Sequence, residues 1–255
     1  IDGLLVLNGE SGYCQPCLSP VWDTSLAAHA FLEANVNGTG EAARRAARWL
    51  TERQILDIEG DWRVKRPDIR PGGWAFQYRN DYYPDVDDTA VVVMALARDG
   101  DPAFADAINR GAEWILGMQG SNGGWAAFDV DNEYYVLEHM PFADHGALLD
   151  PPTADVTARC VGMLAQLGYD RTHPALSRGI AFLKTEQEAD GSWFGRWGTN
   201  YIYGTWSVLS ALSAVGEDLQ APYIRKAVDW LKSRQMPSGG WGEDCATYWS
   251  ERRDE

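Results

Sequence analysis

Residues 114–125 read Trp114-Ile115-Leu116-Gly117-Met118-Gln119-Gly120-Ser121-Asn122-Gly123-Gly124-Trp125, and three further stretches follow the same plan. In each, an aromatic residue precedes an aliphatic one, and Gln stands five positions after the aromatic. The other copies are Trp49-Leu50 with Gln54, Phe182-Leu183 with Gln187 and Gly191-Ser192-Trp193, and Trp230-Leu231 with Gln235 and Gly239-Gly240-Trp241. In three copies Trp follows Gln by six residues, while the first is stretched by an insertion and closes at Trp62 or at Gly72-Gly73-Trp74. Chance composition does not keep such a spacing; a repeated structural unit does.

Apolar residues recur at helical spacing over Ala42 to Arg53, Ala103 to Met118, Pro174 to Glu188 and Pro222 to Arg234, so each copy is the end of a helix that glycine stops. The Trp beyond packs on the last turn. The Gln amide bonds carbonyls left free there or reaches the N-terminus of a neighbouring helix. A second helix alternates with these, starting at Trp22-Asp23-Thr24, Asp87-Asp88-Thr89, Asp155-Val156-Thr157 and Gly204-Thr205-Trp206. Bodies such as Ala90 to Ala97 and Val161 to Leu167 are apolar nearly all round, which suits helices enclosed by others. The pattern predicts an all-α fold in which outer and inner helices stack into a closed or partly closed α/α toroid. Polar groups at the inner-helix starts then converge on one mouth.

Composition narrows the function. With 22 basic against 37 acidic side chains the formal charge is −15, and the pI is near 4.6. No basic stripe is available to displace the counterions of a nucleic acid, and acidic lipid would repel the chain. The longest strictly apolar run, Ala90 to Ala97, is too short to span a bilayer. The chain opens on Ile1 with no basic region leading an apolar stretch, so no signal peptide is expected and both ends look cut. Cys14-Gln-Pro-Cys17 has the spacing of half a zinc ribbon, but Cys160, Cys245, His29, His139, His145 and His173 supply no second half. Reduced thiols, an intracellular chain and no metal site are the expectation.

Chemistry concentrates at Asp85-Val86-Asp87-Asp88, just ahead of an inner helix. One Asp satisfies an N-cap; three exceed that need. Repulsion and burial would raise at least one pKa and keep a carboxyl protonated, while the helix dipole pulls the other way. An acid catalyst and a capping cluster stand side by side on spacing alone. Trp22, Phe76, Phe128, Trp197 and Tyr203 fall on loops or helix starts at the same end. Aromatic faces beside an acid are what a cationic hydrocarbon intermediate needs, since they stabilise positive charge without offering a base.

At Pro84-Asp85-Val86-Asp87-Asp88-Thr89-Ala90, the Gln-Trp repeats, Ser19-Pro20-Val21-Trp22-Asp23-Thr24, Asp150-Pro151-Pro152 and Gly195-Arg196-Trp197-Gly198 the chain resembles bacterial squalene-hopene cyclases. The resemblance covers essentially the whole chain. It implies a class II triterpene cyclase that protonates squalene and closes it to hopene or hopanol without metal or organic cofactor. Carried over, Asp87 matches the proton donor and Asp85 and Asp88 the flanking carboxylates. Asp155 and Tyr203 match a supporting polar network, and Trp22, Phe76 and Trp197 match cavity aromatics. Arg159 stands where the best-known form has a His paired with the acid, and Phe128 where it has a cavity Tyr. Arg159 still donates hydrogen bonds, with a fixed charge that lowers an Asp pKa more than a neutral His does.

The resemblance further implies that residues 1–255 are one partial barrel, the middle of a longer cyclase whose second barrel and membrane-dipping segment lie elsewhere. Such an enzyme sits on the cytoplasmic face of the bacterial inner membrane, with homodimerisation left open. The fragment is expected to be inactive alone and sticky. Competing readings are a class II diterpene cyclase, whose diphosphate substrate favours a basic pocket, an oxidosqualene cyclase, a prenyltransferase β-subunit with zinc, and a non-catalytic toroid that binds a partner.

Overall fold

A computed structural model describes residues 5–9, 11–14, 18–34, 39–132, 134, 136–137 and 149–253. Four inner helices, α1 (Pro20–Ala34), α4 (Val86–Asp99), α6 (Ala154–Gln166) and α8 (Tyr201–Ala214), alternate with four outer ones. The outer helices are α2 (Gly40–Thr51), α5 (Ala105–Gly117), α7 (Pro174–Thr185) and α9 (Pro222–Ser233), and a short α3 (Trp62–Lys65) lies in the first repeat. Each inner helix packs on the outer helix that follows its loop, and the inner helices pack in chain order, α1 on α4, α4 on α6 and α6 on α8. Among the described residues α8 makes no packing of that extent with α1. These helices therefore form an arc of the expected toroid.

The repeat motif works as a set of ties. Indole N–H groups of Trp74, Trp125, Trp193 and Trp241 donate to the carbonyls of Leu50, Ile115, Leu183 and Leu231 at 2.7–2.8 Å. Those acceptors are the aliphatic residues of the motif, in the last turn of each outer helix, where carbonyls lack intrahelical partners. Three of the Gln amides then bond two carbonyls each: Gln54 those of Gly72 and Ala107, Gln119 those of Gly123 and Ala175, Gln187 those of Gly191 and Tyr223. One acceptor is the motif's own loop and the other is the first turn of the next outer helix. The first repeat thus closes at Trp74. Trp62 instead packs edge-on against Trp114, with ring centroids 5.9 Å apart.

Gly123 has φ +92°, and a Cβ there would meet the Arg178 carbonyl of α7 at 2.7 Å. Only glycine allows that backbone and that approach. The inner helices add a further tie: Thr89, Thr157 and Thr205 each accept the backbone N–H of Trp74, Trp125 and Trp193 at 2.9 Å. In the fourth repeat Gln235 bonds Gly239 alone among the described carbonyls, and Trp241 is 47% exposed where its three counterparts are fully buried.

The apolar bodies of α4 and α6 are buried on nearly every side. Leu26 and Phe31 of α1 and Trp206 of α8 remain exposed. An antiparallel hairpin, β1 (Leu5–Asn8) with β2 (Ser11–Cys14), departs from the all-helical expectation. It turns at Gly9, φ +62°, a conformation that glycine adopts without steric cost. Cys14 is exposed on β2, while Cys17, His139 and His145 lie outside the described residues. Among the described residues no group of three or more His, Cys, Asp or Glu is placed to hold a metal ion, and no helix is long and apolar enough to cross a membrane.

Candidate active site

The three clustered carboxylates separate into different tasks. Asp85 is the N-cap of α4: its Oδ1 accepts the N–H groups of Asp87 at 2.7 Å and Asp88 at 3.1 Å. That satisfies the helix start and leaves the other two carboxyls outside the cap. Asp87 Oδ1 accepts from Arg159 Nε at 3.0 Å, and the Arg159 Nη2 group donates to the Tyr203 hydroxyl at 3.3 Å. The Arg159 guanidinium also lies 5.3 Å from the centroid of the Trp22 ring, which it covers. Each inner helix contributes one member: Trp22 from α1, Asp87 from α4, Arg159 from α6 and Tyr203 from α8. The convergence predicted for the mouth is realised as a chain of contacts.

All three carboxyls are nearly or fully buried. Burial pushes the Asp87 carboxyl up and outweighs the Arg159 charge that pulls it down, with Asp155 adding to the rise. Burial first, then repulsion among the carboxyls, raises Asp85 and Asp88 well above the ordinary range. Asp88 Oδ1 is buried without a hydrogen-bond partner among the described residues, so no donor there offsets the rise. Burial and mutual repulsion of this kind favour the protonated form of the cluster. The Tyr203 hydroxyl is pushed up to about 12, chiefly by burial, so it stays a phenol and can donate. Arg159 is held above its already high value by Asp87 and Tyr203 despite its burial and remains charged.

Asp155, expected in the network around the acid, bonds elsewhere. Its Oδ1 accepts from the Thr153 hydroxyl and the Val156 N–H, and its Oδ2 from the N–H groups of Arg196 and Trp197 at 3.0 and 2.9 Å. It acts on Asp87 through charge only and fixes the loop that carries Trp197. Phe128 meets Trp197 edge-on, with centroids 6.0 Å apart at 78°. Phe76 is half-buried in the segment between Trp74 and α4. A cavity of about 350 Å³ between α4, α6 and α8 reaches Arg159, Met94 and Trp206. None of Trp22, Phe76, Phe128 and Trp197 lines it, so the four expected aromatics do not surround this hollow. Glu243, absent from the sequence reading, caps α8 by accepting the N–H groups of Asn200, Tyr201 and Ile202. No local signal marks a cap supplied from so far along the chain.

Residues 18–255 match the model of the squalene-hopene cyclase C-terminal domain. The chain belongs to the squalene-hopene cyclase family. The squalene-hopene cyclase of Bradyrhizobium diazoefficiens is 58% identical over 253 residues, 97% of this chain and 38% of that protein. The enzyme of the same name from Zymomonas mobilis is 55% identical, over 97% of this chain and 39% of its own. The chain therefore spans less than two fifths of these curated relatives. Among solved structures, a variant of the type II terpene cyclase MstE from Scytonema, bound to geranylgeranyl dihydroxybenzoate, is 21% identical. It superposes with a TM-score of 0.62 over 88% of this chain and 57% of that one. This likeness places the helix pairs of the squalene-hopene cyclase segment in the α/α toroid of terpene cyclases.

Proposed function

We propose that the complete protein is a class II triterpene cyclase converting squalene to hopene and hopanol, with Asp87 as the proton donor. Asp87 carries the reading: it is a buried carboxyl raised by desolvation, free of capping duty and held at one oxygen by Arg159. The bond to Oδ1 leaves Oδ2 for the proton. In the initiating step the O–H bond breaks and the π pair of a terminal double bond takes the proton, leaving a tertiary cation and an Asp87 carboxylate paired with Arg159. Folding of the substrate then lets successive double bonds attack the cation, with the faces of Trp22, Phe76, Phe128 and Trp197 stabilising charge. The final cation loses a proton to give hopene or is captured by water to give hopanol. Asp85 and Asp88 help the cluster retain its proton through repulsion, and the Tyr203 phenol orders the water that returns the proton to Asp87. The reaction needs no cofactor.

Residues 1–255 are, in this reading, one partial barrel. The second barrel and a segment dipping into the cytoplasmic face of the bacterial inner membrane belong to the rest of the protein. The singly bonded Gln235 and exposed Trp241 support a further helix pair beyond the fourth repeat. The test is expression of the complete protein with membranes, supply of squalene and lipid analysis by gas chromatography and mass spectrometry, with Asp87→Asn alongside. Pentacyclic product from the wild type and none from the folded variant is expected. Pentacyclic product from the variant at the wild-type rate removes Asp87 as donor, and cyclisation of a prenyl diphosphate in place of squalene moves the protein to the diterpene class.

A further inference from the structure

The segment Asp150-Pro151-Pro152 takes no part in the chain of contacts around the acid. Asp150 Oδ2 accepts the backbone N–H of Phe128 at 2.6 Å and of Asp129 at 3.3 Å. Its Oδ1 is buried and has no hydrogen-bond partner among the described residues. The residue before Phe128 is tied to the acid helix, because Val86 N–H, adjacent to Asp87, donates to the Ala127 carbonyl at 2.7 Å. Phe128 is thus held from two sides, by the first turn of α4 and by Asp150 ahead of α6. Trp197, its edge-on partner, is held by Asp155, whose Oδ2 accepts the Trp197 N–H. Two carboxylates on either side of a Pro-Pro pair therefore grip the two loops that bear this ring pair. The prolines fix two consecutive φ angles, which keeps the separation of those grips stiff.

We propose that Asp150 is a positioning residue that sets the Phe128–Trp197 ring pair relative to Asp87 and so determines how far the cyclisation runs before the cation is lost. The inference rests on the cyclase reading above. A ring face stabilises a cation only within a narrow range of distance and direction. Displacement of a positioning group by about 1 Å costs as much as ~100-fold in a catalysed step. Where the displaced ring serves a later cation, that cation gives up a neighbouring C–H proton to water instead, its C–H pair becomes a new double bond, and a product with fewer rings leaves.

The test uses the complete enzyme, squalene and product analysis, with thermal unfolding of each variant measured alongside. Asp150→Asn retains a carbonyl oxygen that accepts both N–H groups and is expected to keep the wild-type product distribution. Asp150→Ala is expected to raise the share of incompletely cyclised products at least threefold, in the pattern that Phe128→Ala produces, with the double variant adding nothing further. Should Asp150→Ala fail to fold, Asp150→Ser takes its place, since a serine hydroxyl is too short to reach both amides. An unchanged product distribution in the Ala or Ser variant, even with a lowered melting temperature, overturns the proposal. So does an Asn variant as altered as the Ala variant, which would make charge rather than amide acceptance the cause. Wild-type enzyme that leaves squalene untouched overturns the cyclase reading, and this inference with it.

Discussion

Thr157→Val exchanges a fully buried hydroxyl for a methyl group of nearly the same volume. Thr157 Oγ1 accepts the Trp125 N–H at 2.9 Å, and Trp125 is itself fully buried. Valine leaves that amide in the core without its acceptor. The lost bond is worth about 1 kcal/mol and the stranded amide about 1–3 kcal/mol more, so about 2–4 kcal/mol of stability should disappear. Thr205→Val should match it, since Thr205 holds Trp193 N–H in the same way. Thr89→Val should fall at the upper end, because the Thr89 hydroxyl donates to the Asp85 carbonyl at 2.6 Å, whereas the Thr157 hydroxyl donates to the Trp125 carbonyl at a longer 3.4 Å. Thr157→Ser keeps the acceptor, loses one methyl and should cost about 1 kcal/mol. Thr185→Val is the control. That hydroxyl is exposed and bonds the Ala181 carbonyl within its own helix, so a change within about 0.5 kcal/mol is expected. Denaturant midpoints of the complete protein, at unchanged slope, give the differences. A Thr157→Val loss under about 0.5 kcal/mol, or one equalled by Thr185→Val, would refute the idea that inner-helix threonines clamp the repeat tryptophans.

Three other changes follow from the same geometry. Gly123→Ala places a Cβ at φ +92° and 2.7 Å from the Arg178 carbonyl, so it should cost about 2–4 kcal/mol in thermal unfolding; a neutral effect would show that α7 gives way freely. Arg159→Lys cannot reproduce the fork that bonds Asp87 and Tyr203 together, and turnover of squalene should fall about tenfold or more with the fold intact. Wild-type turnover in that variant would remove Arg159 from the acid's support. Burial raises the Asp150 carboxyl from 3.8 to about 6, against the opposing amides of Phe128 and Asp129 and the charge of Arg196. The folded chain then binds this proton more tightly than the unfolded chain. Stability from this group is present at low pH and is lost as pH rises from about 4 to 6. Relative to wild type, Asp150→Asn should therefore gain about 2 kcal/mol between pH 4 and pH 7, and a difference flat in pH would contradict this.

Much of the fold was legible because the repeat is local. The spacing from Trp114 through Gln119 to Trp125 spans one helix end and its loop, and the indole, amide and glycine each meet partners within that span or in the next first turn. The all-round apolar bodies of α4 and α6 announced enclosure in the same way. The hairpin near the N-terminus was not legible: its strands are four residues each and largely exposed, so no alternation of apolar and polar residues marks them. The choice between Trp62 and Trp74 was likewise a matter of tertiary structure. The insertion between them carries Arg66, which bonds the Gly117 and Gln119 carbonyls at the end of α5, and no spacing rule anticipates such a detour.

The sequence by itself determined the helix pairs and their glycine stops, because those follow from periodicity and from residues a few positions apart. Tertiary structure decided how the carboxylates and aromatics are wired. Asp85 caps while Asp87 meets Arg159, which lies 72 residues away in the chain. Asp155 turns to Trp197 instead of to the acid, and Asp150 takes hold of Phe128. Each of these bonds joins loops or helices brought together only by the stacking of repeats. A hydrogen bond formed across that stacking depends on distances of a few tenths of an ångström, which neither composition nor spacing encodes.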